Sequence, residues 1–157
     1  MIIKSLKDED FVNYKKPSMI IGFPKCDFKC DRECGQQVCQ NSALATAPDI
    51  EINTMDLVKR YIDNPITKAV CCQGLEPFDS FGDLWTFIFL FRSVSDDDIV
   101  IYTGYNKNEI IDYIQRLSEF SNIVIKFGRY IPGQEPHYDE VLGVKLASDN
   151  QYAEKIS

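Results

Sequence analysis

The stretch "SMIIGFPKCDFKC", residues 18–30, runs from a short apolar segment straight into a loop that carries two cysteines. Residues 18–23 read as continuously apolar rather than alternating, which is the pattern of a strand covered on both faces. Three more runs share it: "KAVCCQ" (68–73), "DIVIYT" (98–103) and "NIVIKF" (122–127). Helical periodicity lies between them. "NTMDLVKRYIDN" (53–64) offers Asn53 or Thr54 as an N-cap and sets Met55, Val58, Tyr61 and Ile62 on one face. "DSFGDLWTFIFLFRSV" (79–94) is apolar nearly all round and predicts a buried helix. "NKNEIIDYIQRLSEF" (106–120) aligns Ile110, Ile111, Ile114 and Leu117 behind Asn106 as its cap. Strands alternating with helices predict an α/β domain with a mostly parallel sheet. In such sheets ligands bind beyond the carboxyl ends of the strands. Three of the four strands run into unusual loops there: "PKCDFKC", "QGLEP" and "TGYN". The tail from "GRYIPGQEPHYDE" onward lacks periodicity and reads as a loop followed by a short strand or helix.

The 157 residues fit a single domain, 1–157, and no repeat or Pro/Gly/Ser-rich linker marks a boundary. The net charge of −7, spread along the chain, argues against a nucleic-acid partner, because phosphate binding needs a basic surface. No apolar run reaches membrane-spanning length, and "MIIKSLKDEDFVNYKK" has neither the apolar core nor the charge pattern of a secretory signal. The expected location is the cytoplasm. In that reducing compartment, clustered cysteines serve metal binding or catalysis more often than disulfides.

Four of the six cysteines, Cys26, Cys30, Cys34 and Cys39, crowd into "CDFKCDRECGQQVC" (26–39). Structural zinc sites use C-x2–4-C knuckles with the second pair well downstream, a poor match to four thiols in one loop. A cubane iron–sulfur cluster presents several irons, which thiolates from one loop can reach. With four thiolates it can only pass electrons; with three, one iron stays open to hold a ligand. Cys34 separates these cases.

A strand, C-x3-C and then "VCQN" (38–41) resemble the radical S-adenosylmethionine enzymes, most closely the small activating protein of anaerobic ribonucleotide reductase. The resemblance covers nearly the whole chain. "QGLEP" (73–77) resembles the GGE-type motif that holds the methionine amino group. "IYTGYNKNEI" (101–110) resembles the strand, TGY turn and helix of the activating protein, and "FGRYI" (127–131) and "LASDNQ" (146–151) resemble its closing segments. Two departures stand out: Cys39 follows Cys30 after eight residues where the family has two, and Leu75 occupies a usual glycine position.

The resemblance implies a mostly parallel sheet forming a partial, open (β/α) barrel. It assigns Cys26, Cys30 and Cys39 as ligands of a [4Fe-4S] cluster, with Cys34 as the alternative ligand. It implies S-adenosyl-L-methionine bound by Gly74 and Glu76 at the methionine end and by Val38 at the adenine. Asn41, Thr103, Lys126 and Asn150 are its further cofactor-binding candidates. The implied partners are a large glycyl radical enzyme, an anaerobic ribonucleotide reductase, and a flavodoxin- or ferredoxin-like reductant.

Plainer readings stand beside these. Cys34 is an ordinary loop residue; Cys71 and Cys72 pack as small hydrophobes; His137 is a surface residue; and Asp96, Asp97 and Asp98 form a solvated turn. Tyr102 and Tyr105 are packing aromatics, and Lys126 is a surface lysine at a strand end. The rival functions are a small radical enzyme acting on a metabolite, of the deazaguanine-forming kind, and a non-catalytic zinc or cluster module.

Overall fold

The computed structural model describes residues 1–157. In chain order the first half holds β1 (Ile2–Ile3), β2 (Ser5–Asp10), β3 (Ser18–Phe23), α1 (Lys29–Cys34), α2 (Ser42–Thr46), β4 (Ile50–Glu51), α3 (Thr54–Ile62) and β5 (Ala69–Gly74). The second half holds α4 (Phe81–Arg92), β6 (Asp98–Tyr102), α5 (Ile111–Leu117), β7 (Ile123–Phe127), β8 (His137–Asp139), β9 (Val144–Leu146) and β10 (Tyr152–Lys155). Short 3-10 turns at Pro77–Ser80 and Lys107–Glu109 precede α4 and α5.

The four apolar runs of the sequence are β3, β5, β6 and β7, paired parallel in the order β3-β5-β6-β7. The expectation of a mostly parallel sheet bent into a partial (β/α) barrel is overturned, because the six-stranded sheet is mixed and does not close. Its order is β10-β7-β6-β5-β3-β2, and both outer strands run antiparallel to their neighbours. The physical reason lies in the outer strands' composition. "SLKDED" in β2 and "YAEK" in β10 are charged, half-exposed edges, so they lack the continuous apolar signal of a central strand. After β7 the chain makes the β8–β9 hairpin and returns as β10, capping that edge instead of adding another parallel β/α unit.

Two apolar clusters sit on opposite faces of the sheet. On one, Met19, Ile21, Phe23, Val70, Cys72, Ile99 and Ile101 meet Leu57 and Val58 of α3 and Leu84, Phe87, Ile88 and Phe91 of α4. Full burial of each such large side chain contributes about 1.5–3 kcal/mol. On the other, Ile20, Cys71, Val100 and Val124 are covered by Tyr14, Leu142, Leu146 and Ala153, from the β2–β3 connection, the hairpin region and β10. The alternation along each strand therefore feeds two cores, which explains why the sequence reads as unbroken apolar runs.

α3 begins where the sequence places it, α4 and α5 start later behind 3-10 turns, and all three end sooner. Asn53 Oδ1 accepts from the amides of Met55 and Asp56 at 2.9 and 3.3 Å and starts α3. The stretch expected as one helix over 106–120 divides into the 3-10 turn and the shorter α5. Gly74 closes β5 with φ +98°, and a Cβ there would meet Gly22 Cα on neighbouring β3 at 2.6 Å. Glycine is required at that crossing. No helix is long and apolar enough to cross a membrane.

Candidate functional site

The loops after β3, β5, β6 and β7 meet at one end of the sheet around a cavity of about 280 Å³. Cys26, Cys30 and Cys39 line it together; Cys34 does not. The separation follows from local structure. Cys26 lies in the loop beyond β3, where Phe28 takes the left-handed conformation (φ 54°) and its amide donates to Cys26 Sγ at 3.2 Å. Cys30 is in the first turn of α1, and Cys34 is one turn further along, next to the left-handed cap Gly35. The eight residues between Cys30 and Cys39 thus form a helical turn and a return. Asp31 closes the return: its Oδ1 accepts from the amides of Val38 and Cys39 at 2.7 and 2.8 Å. Burial pushes the Cys26 thiol up to about 11, and burial likewise raises Cys39. Cys26 and Cys39 are therefore neutral thiols at neutral pH, and binding a metal there would release their protons.

Glu76, 2% exposed, lines the same cavity. Its Oε1 accepts from Thr103 Oγ1 at 2.8 Å and from the Phe78 amide at 3.2 Å, while Oε2 accepts from the Gly104 amide at 2.9 Å. These bonds tie the loop after β5 to the loop after β6. A carboxylate offers about four lone-pair sites, so one remains for a donor in the cavity. Burial raises the Glu76 pKa, against the lowering effect of the Gly104 amide and the Lys29 ammonium.

Lys126, at the end of β7, also lines the cavity and is 7% exposed. Its ammonium donates to Gly128 O at 2.9 Å, and burial pulls its pKa down to about 8. The reading of Lys126 as a surface lysine is thereby corrected. Asn41, Gly74 and Thr103 line the cavity as well. Two of the sequence candidates stand elsewhere. Val38 is not on the cavity wall, and Asn150 is spent on local structure: its Nδ2 donates to Arg129 O at 2.8 Å and its Oδ1 accepts from Ser148 Oγ.

Several wall residues escaped the sequence reading as site residues, among them Lys29, Gln73, Gly104 and Gln151. Three of them lie inside motifs that were legible, "QGLEP", "TGYN" and "DNQ". Lys29 had no such flag, since a lysine between two cysteines looks like a solvated charge.

Comparison with protein-family models, curated proteins and solved structures finds no significant match. The site must therefore be judged on its own geometry.

The donor set discriminates between metals. Thiolates on one tetrahedral zinc, with Zn–S about 2.3 Å, stand roughly 3.8 Å apart. The three cavity thiols form no such group: the one trio of cysteine and carboxylate ligand atoms within 4.8 Å of one another is Cys26, Asp27 and Asp79. Both of those aspartates are engaged, Asp27 with Lys29 and Arg32, and Asp79 with the Tyr105 hydroxyl. Thiols spread around a cavity suit a cluster of several irons better than a single ion. Gly104 leaves room beside them, for a Cβ there would stand 3.7 Å from both Cys30 Sγ and Glu76 Oε2. Three thiols around one cavity, with Gly104 open beside Cys30, are compatible with such a cluster.

The loops are braced from outside the cavity. Arg129 forms a two-bond pair with Glu109 at 2.6 and 2.7 Å, and its Nε lies 2.8 Å from Glu33 Oε1 in α1. One guanidinium thereby joins the cysteine-bearing helix, the loop after β6 and the exit of β7.

Proposed function

We propose that this protein is a radical S-adenosylmethionine activase that generates a glycyl radical on a large partner enzyme, with an anaerobic ribonucleotide reductase as the partner class. The observation that carries the reading is the gathering of Cys26, Cys30 and Cys39, without Cys34, around one cavity that Glu76 also lines. Cys26, Cys30 and Cys39 would hold a [4Fe-4S] cluster, which would supply the low-potential electron for reductive cleavage of S-adenosylmethionine and so the radical chemistry that abstracts hydrogen from a partner's glycine.

The chain's own contribution is binding and orientation. Glu76 turns its remaining lone pair to the methionine ammonium, and the Gly104, Phe78 and Thr103 donors hold that carboxylate in place. Lys126 offers a cation at the end of β7 for the methionine carboxylate. Asn41, two residues beyond Cys39 and on the same cavity, offers an amide group to the ribose. The thiol spread that disfavours zinc also weighs against the reading of a zinc assembly module.

The test is anaerobic reconstitution with iron and sulfide, reduction with dithionite, and addition of S-adenosylmethionine. The expected product is 5′-deoxyadenosine. A fully loaded, reduced sample that yields none refutes the proposal. Cys34→Ala should keep the cluster and the product, whereas Cys39→Ala should lose both; the reverse pattern overturns the ligand assignment.

A further inference from the structure

Lys29 is an unusual residue to find at this site. It is 3% exposed, lies next to Cys30 in the chain, and lines the cavity with Cys26, Cys30 and Cys39. Its ammonium stands 2.9 Å from Asp27 Oδ1 but off hydrogen-bond alignment, and 3.9 Å from Glu76 Oε2. The Tyr105 ring lies 3.8 Å below it. That ring is fixed in turn, because the Tyr105 hydroxyl donates to Asp79 Oδ1 at 2.7 Å. The side chain is thus held on an aromatic face between two carboxylates, with no acceptor fully satisfying it.

Burying a charge is costly unless the charge is paired. Asp27 supplies the pairing, so Lys29 places a buried cation on the cavity that the three thiols line.

We propose that Lys29 tunes the reduction potential of the cluster held by Cys26, Cys30 and Cys39, easing its one-electron reduction. The inference rests on the cluster reading above. In that step a flavodoxin- or ferredoxin-type donor gives up one electron and the bound cluster accepts it, with no bond made or broken. The added negative charge is stabilised by a nearby buried cation, because the low-dielectric surroundings screen the pair weakly. Hydrogen bonds and net charge around a cluster are the protein's usual means of setting its potential. Asp27 acts in the opposite sense, as the counter-charge that partly cancels the lysine. Lys29 is a positioning and electrostatic residue here, and no transferred atom passes through it.

The test is a potentiometric titration of the full chain, reconstituted anaerobically, with iron and sulfide counted and the reduced cluster read by electron paramagnetic resonance. Lys29→Met is expected to lower the reduction equilibrium constant about tenfold, which is about 59 mV more negative for a one-electron couple. Lys29→Arg should restore the wild-type value to within about twofold, a rescue that a packing role would not give. Asp27→Asn keeps the lysine and should move the potential the other way, so it decides the matter even where Lys29→Met retains no cluster. Unchanged potentials in loaded Lys29→Met, or a shift of Asp27→Asn in the negative direction, overturn the proposal. A wild-type chain that takes up no iron and sulfide overturns the cluster reading and this inference with it.

Discussion

Replacing Asp31 with alanine tests whether the long return to Cys39 is held as described. Asp31 Oδ1 accepts two backbone hydrogen bonds, from Val38 and Cys39 at 2.7 and 2.8 Å. Bonds to a charged acceptor are each worth about 1.5–3 kcal/mol net. Asp31 is only partly buried, so water replaces the carboxylate in the variant and the lower figure applies. Two bonds at roughly 1.5 kcal/mol give about 3 kcal/mol, or on the order of a hundredfold in the equilibrium between the closed and open return. In the metal-free protein, amide exchange at Val38 and Cys39 should speed up by about that factor, while exchange in β5 and β6 stays unchanged. The melting temperature should move little, because the return contributes no residue to either apolar core. Asp31→Asn keeps one neutral acceptor oxygen and should give an intermediate effect. Under the cluster reading, iron retention should fall in the same order. Wild-type exchange at Val38 and Cys39 in Asp31→Ala would refute the reasoning, since it would mean that other contacts hold the return.

Glu76→Ala strands the Thr103 hydroxyl and the Phe78 and Gly104 amides in a buried site, so we expect a loss of about 3–5 kcal/mol, seen as a melting-temperature drop of roughly 10 °C. Gly74→Ala forces a Cβ to 2.6 Å from Gly22 Cα at φ +98° and should cost about 3 kcal/mol or more by chemical denaturation; a tolerated alanine would mean that β3 and β5 can part. Burial raises the Asp10 pKa, but bonds from Lys7, Asn13 and Val12 outweigh it and hold the folded value at about 2 against 3.8. Its stabilising effect is therefore full above about pH 4 and lost as pH falls through 2, worth at most about 2 kcal/mol, and Asp10→Asn should flatten that slope in thermal melts between pH 2 and 5.

The central strands were legible because each feeds two apolar faces, leaving no alternation to confuse them with surface strands. The edge strands were not, since "SLKDED" and "YAEK" read as charged loop, and their antiparallel pairing is what defeats the barrel expectation. The grouping of the cysteines was legible, and the shape of their loop was not. Cys26, Cys30 and Cys39 were separable from Cys34 by their neighbours in sequence, yet nothing in "DRECGQQV" announced a helical turn or a clamp by Asp31. Lys126 was picked by its place at a strand end, whereas Lys29 was passed over because burial of a lysine depends on Tyr105, Glu76 and Asp79, far away in the chain. Val38 and Asn150 show the opposite failure: motif position named them and neither lines the cavity, the Asn150 side chain being engaged with Arg129 O and Ser148 Oγ.

Cys71 and Cys72 are both fully buried in β5, one in each apolar cluster. Neighbours on a strand point to opposite faces, so these two sulfurs cannot join each other or reach the loop without unfolding the sheet. Exposure to air is thereby confined to the four half-exposed loop thiols. Such damage is local and chemically reversible as long as it stops at disulfides, and a mild thiol reductant should return the folded chain to its starting state without any refolding step.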